Sequence, residues 1–89
     1  MVIVDFAAES WCVPCQRLKP HYEAASEKAT GVLWLHADVD INPNLMTEYP
    51  IMGVPTLYAY KDGERVGEMS QRTAISLVKY AEELANEEV

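Results

Sequence analysis

Eighty-nine residues, 49% hydrophobic and 24% charged, are enough for one small globular domain with one core and leave no room for a second. Seven basic residues against fourteen acidic ones, for a net charge of -7, exclude an electrostatic footprint for phosphate backbones or anionic membranes, so no nucleic acid partner is expected. No window approaches the roughly 18 apolar residues of a membrane span. Met1 also leads straight into "VIVDF" without the basic region and cleavage site of a secretory leader, so no membrane association and a cytoplasmic location are expected.

In chain order, Val2 to Ala7 is a short, nearly continuous apolar run interrupted by Asp5, which predicts a strand covered on both faces. From Gln16 to Ala29, Leu18, Tyr22, Ala25 and Ala29 recur at spacings of three and four and predict a helix stopped near Gly31 and kinked at Pro20. "GVLWLHADVD" predicts a second buried strand. "DINPNLMTEY" predicts a short helix capped by Asn42 with Pro43 at its first position. "PTLYAY", "KDGE" and "RVGEM" predict a hairpin turning at Asp62-Gly63. From Thr73 a stripe of Ala74, Leu77, Val78, Ala81, Leu84 and Ala85 predicts a closing amphipathic helix. The acidic ending "EELANEEV" reads as a solvated helix end. The order is β-α-β-α-β-β-α. A right-handed crossover puts the first two strands parallel, with the cysteines at the carboxyl end of the first strand, where open α/β sheets place their chemistry.

Both cysteines lie in "ESWCVPCQRLKPHY" as Cys12 and Cys15, too few for the disulfide framework of a secreted domain, which points to redox or metal chemistry before structural bridging. A helix start favours thiolate at Cys12 through unpaired N-H groups and the positive end of the dipole. Residues at i and i+3 hold their Cβ atoms about 5 to 6 Å apart, against about 3.5 to 4.5 Å in a disulfide, so closing the bridge needs adjustment of the first turn. Pro14 fits there because the N-H it lacks is unpaired in a first turn, and β-branched Val13 stiffens the spacer. Trp11 offers either a flat contact surface or core packing. For a zinc site, the only further strong ligands are His21 and His36, at a spacing that fits no zinc module, so no metal is expected.

"VDFAAESWCVPC" with Pro20 five residues later, then "DVDINPN", then "GVPTLYAYKDGE" resembles thioredoxin over nearly the whole chain. The resemblance implies a thioredoxin-like α/β fold in which Val54-Pro55 is a cis peptide facing the cysteines. It implies that the backbone near Gly53 and Val54 pairs with an extended stretch of substrate. The alternative for Pro55 is a strand-entry proline. The family begins with a further strand and helix, so a four-stranded sheet with three helices is expected here. Four other departures stand out: a Val-Pro spacer, one extra residue between Asp5 and Cys12, the lack of the family's earlier tryptophan in that stretch, and His36 where the family often carries a lysine near its buried carboxylate.

By the same resemblance, Asp5 matches the family's buried carboxylate, which accepts the proton of the resolving thiol; an aspartate satisfied by loop N-H groups is the alternative. The implied activity is thiol-disulfide oxidoreduction in a single domain over residues 1-89. Cys12 and Cys15 with Asp5 are its catalytic groups, and Trp11, Val13, Pro14, Val54 and Pro55 its substrate surface. No bound cofactor is expected. The expected partners of this monomer are protein disulfides and a thioredoxin reductase carrying flavin and NADPH. The rivals are a glutaredoxin-like protein recharged by glutathione, for which only Arg17 and Lys19 lie near the cysteines, and a non-catalytic binding module of the same fold.

Overall fold

Four strands and three helices form in the expected order, in a computed structural model that describes residues 1-87; the last two residues of the acidic carboxyl-terminal run lie outside the described residues. They are β1 (Val2–Ala7), α1 (Val13–Lys28), β2 (Leu33–Asp38), α2 (Leu45–Glu48), β3 (Thr56–Lys61), β4 (Glu64–Met69) and α3 (Ala74–Asn86). The sheet runs β2-β1-β3-β4, with β1 parallel to β2 and antiparallel to β3, and β4 antiparallel to β3. Each boundary has a local cause. Asp62 and Gly63 both take positive φ, 52° and 82°, as the tight primed turn of a two-residue hairpin requires. At the start of α3, the Ser76 backbone N-H donates to the Thr73 side chain while the Ser76 hydroxyl answers the Thr73 N-H, a complete capping box.

Two sequence expectations need correction. The second strand is not buried: at the open edge of the sheet, beside only β1, it leaves Leu33 and Leu35 exposed. An apolar run alone cannot tell an edge position from a central one. The short helix begins later than expected, with Asn44 rather than Asn42 at its cap, because residues 42 to 44 are spent on a tighter turn in which the Leu45 N-H donates to the Asn42 carbonyl at 3.0 Å. At its other boundary, α1 ends at Lys28 with Ala29 as its cap, so Gly31 lies beyond the cap.

The sheet divides the core in two. On the side of α1 and α3, Ile3, Leu18, Tyr22, Leu57, Leu77 and Leu84 pack together with small residues between them. Burying each large side chain is worth roughly 1.5 to 3 kcal/mol. The Tyr22 hydroxyl lies 3.1 Å from the Ile3 carbonyl and 2.6 Å from that of Leu35, so one proton on α1 ties β1 to the edge strand. The second cluster holds Phe6, Ala7, Ala8, Val39, Ile51 and Tyr58 together with both cysteines.

Candidate active site

The chain leaves β1 through a turn in which the Cys12 N-H donates to the Ala8 carbonyl at 2.9 Å. This sets Cys12 in an extended conformation, φ -85° and ψ 102°, as the residue that caps α1. Its sulfur takes the role a serine oxygen usually plays: the Cys15 backbone N-H donates to Cys12 Sγ at 3.2 Å. Val13 and Pro14 occupy the first two helical positions, where the missing proline N-H costs no hydrogen bond. Cys12 and Cys15 are joined as a disulfide, with Cα atoms 5.2 Å apart. Both are buried, and both belong to the second cluster, with Phe6, Val39 and Tyr58.

The loop before β3 closes over them. Val54-Pro55 is cis, as expected, and the Val54 carbonyl oxygen lies 3.8 Å from Cys12 Sγ. Trp11 is 63% exposed, which decides for a surface role over core packing. Val13 is exposed too, and Val54 and Pro55 are half-buried. Beside the disulfide, Trp11, Val39, Asp40, Met46, Met52 and Val54 line an open, mostly apolar groove. Sequence reasoning had not gathered Asp40, Met46 or Met52. Met52, 99% exposed two residues before Val54, is an unusual place for an apolar side chain, and that proximity was the signal available.

Asp5 is the only buried charged residue among those described, 2% exposed, and the loop N-H groups do not satisfy it. Its Oδ2 lies 3.3 Å from His36 Nδ1, its register partner on β2, and its Oδ1 has no partner. Burial pushes its carboxyl above the ordinary carboxylate range, against the opposing pull of His36 and Arg72. His36 Nε2 in turn lies 3.4 Å from Glu9 Oε1, which also faces Lys19 Nζ at 3.6 Å. Glu9 was missed from sequence because only the folded turn at Ala8 turns it back over the edge strand. His21 makes a different contact: its Nδ1 accepts from the Ala74 N-H at 3.4 Å. No cluster of three or more potential metal ligands occurs among the described residues.

A helix-capping cysteine bridged to the third residue of that helix, beneath a cis-proline loop on a four-stranded mixed sheet, defines a thioredoxin-fold protein with a dithiol centre. The comparisons agree. The family model described as Thioredoxin matches residues 1-83, and the chain belongs to the thioredoxin family. Human thioredoxin is 40% identical over 70 residues, 79% of this chain and 66% of the relative, so the match spans just under two thirds of that relative's length. Mouse thioredoxin is 34% identical over 85 residues, 91% of this chain and 80% of the relative. Among solved structures, oxidised thioredoxin from Plasmodium falciparum superimposes with a TM-score of 0.79 at 36% identity, covering 94% of this chain and 80% of that one. A poplar thioredoxin h gives a TM-score of 0.85 at 26% identity, covering 98% and 78%.

Proposed function

We propose that the chain is a thiol-disulfide oxidoreductase that reduces protein disulfides through the Cys12-Cys15 pair. The observation that carries this reading is the double role of Cys12, which is bridged to Cys15 and also accepts the Cys15 N-H at the start of α1. The donor that holds a capping oxygen elsewhere here stabilises negative charge on sulfur, and only the thiolate attacks. In the reduced protein, Cys12 thiolate attacks one sulfur of a target disulfide, expelling the other as a thiolate and leaving a mixed disulfide. Cys15 then loses its proton to Asp5 and attacks Cys12 Sγ, and the second target sulfur leaves as a thiolate. Two electrons pass to the target, and the protein ends as the disulfide.

Targets dock through Trp11, Val13, Pro14, Val54 and Pro55, with the backbone beside Cys12 available to an extended segment. A return to the dithiol requires an external reductant, assigned here to a thioredoxin reductase carrying flavin and NADPH. Glutathione is less favoured, since Lys19, one of two cations near the cysteines, faces Glu9 at 3.6 Å. The working state is a monomer in a reducing cytoplasm. The test is a redox titration across graded dithiol buffers, with free thiols alkylated and counted by mass. One cooperative two-thiol transition on the reducing side of the glutathione poise supports the reading; thiols that never pair, or a transition above that poise, overturn it.

A further inference from the structure

The reading of Asp5 as proton acceptor leaves its own proton stranded, because a carboxyl that is 2% exposed has no direct exchange with water. The route out is visible in the side chains around it. Asp5 Oδ2 and His36 Nδ1 are 3.3 Å apart, and His36 Nε2 and Glu9 Oε1 are 3.4 Å apart. The imidazole therefore stands between a buried carboxyl and a partly exposed one, with a different nitrogen toward each. The His36 side chain is itself 38% exposed, a consequence of its place on the edge strand. We propose that His36 is a positioning residue that carries protons between Asp5 and the surface carboxylate Glu9, and so sets the pace at which the dithiol pair resolves its mixed disulfide.

The proposal rests on the reading of Cys12, Cys15 and Asp5 given above. Its proton balance closes. When Cys15 hands its proton to Asp5, Asp5 passes it to Nδ1, and the proton on Nε2 leaves through Glu9 to water. The imidazole is then left as its other tautomer. Reduction of the protein by a dithiol donor runs the sequence backward: Glu9 returns a proton to Nε2, Nδ1 gives one to Asp5, and Asp5 reprotonates Cys15. Each half of the cycle resets the ring for the other, so no ring rotation is needed. A lysine or arginine in this place would supply a fixed charge but no second nitrogen that accepts while the first donates.

The charged and titratable groups around the line come from every element packed on it: Asp5 from β1, Glu9 from the turn after β1, Lys19 and Tyr22 from α1, and Arg72 from the segment before α3. Lys19 holds Glu9 over the ring. Both imidazole distances exceed the roughly 2.7 to 3.2 Å of a strong hydrogen bond, so transfer requires a closing movement of a few tenths of an ångström, available to a side chain on a sheet edge.

The test uses the reduced full chain and an equimolar chromophoric aryl disulfide, in which attack by Cys12 and resolution by Cys15 each release one coloured thiolate as separate phases. In His36→Ala the first phase should be unchanged. The second should slow by about tenfold or more, within reach of the 100-fold that an acid-base group often supplies. Added imidazole should restore it. His36→Gln, which fills the same space without carrying a proton, should be slowed alike, and Glu9→Gln should show a smaller loss. Wild-type resolution rates in both His36 variants would overturn the proposal, as would a loss that imidazole leaves untouched while the melting temperature falls in step. A wild-type protein that forms no mixed disulfide at all would overturn the underlying redox reading, and the relay with it.

Discussion

Cys12 Sγ lies 3.8 Å from the carbonyl oxygen of Val54, across a sequence separation of 42 residues. Under the proposed function, a target bonded to Cys12 would lie beside the Val54 backbone, with exposed Trp11 and Met52 flanking it. Replacing Trp11 or Met52 by alanine should raise the apparent KM for a protein disulfide by about tenfold, the equivalent of about 1.4 kcal/mol of docking. The rate with a small aryl disulfide should be unchanged. Parallel assays on the two substrates check this, and equal losses on both would remove these residues from the docking surface.

The two cysteines should separate by mass spectrometry. With an excess of target disulfide, Cys15→Ser should accumulate a stable adduct on Cys12, since nothing remains to resolve it. Cys12→Ser should form none at that position and should lose turnover altogether. An adduct that forms at Cys15 as readily as at Cys12 would reverse the assigned roles.

Asp5 ties chemistry to stability with a definite sign. An acid whose folded-state pKa is raised binds its proton more tightly in the folded chain. Its favourable contribution is then complete below the ordinary carboxylate range and is lost as pH rises through the folded-state value. Asp5→Asn should abolish that loss. It should melt higher than the wild type well above about pH 4 and converge with it below, each kcal/mol relieved being worth about 4 to 8 °C. Resolution of the mixed disulfide should slow in the same variant. Melting curves across pH, set beside the two-phase kinetics, check both halves.

Tyr22→Phe should do the reverse, costing stability and sparing chemistry. The change strands the Ile3 and Leu35 carbonyls that now face one hydroxyl, a loss of about 1 to 3 kcal/mol. Denaturant unfolding should show the shift, while the redox titration stays unchanged. A displaced titration would mean that the edge strand and the sulfurs are coupled.

Most of this architecture can be read from local pattern. The helical spacing from Leu18 to Ala25, the Asp62-Gly63 turn and the Thr73 cap each depend on neighbours a few residues away, and each recurs in the folded chain. The two cysteines at a helix start followed the same logic. What the pattern could not supply was placement across the sheet. An apolar strand such as Leu33–Asp38 looks the same at an edge as at the centre, because the distinction rests on what lies beside it. The Asp5-His36 pairing agrees with the parallel strands that the crossover rule predicts and with the resemblance, whereas Glu9 joins the line only through an irregular turn set by tertiary contacts.

The division of the core by the sheet separates cohesion from reactivity. The helices α1 and α3 are held to the strands by the cluster around Leu18 and Leu77, whereas the sulfurs belong to the smaller cluster around Phe6 and Tyr58. Substitutions beside the sulfurs should therefore act on the proposed chemistry, while changes in the larger cluster act first on the margin above the folding threshold.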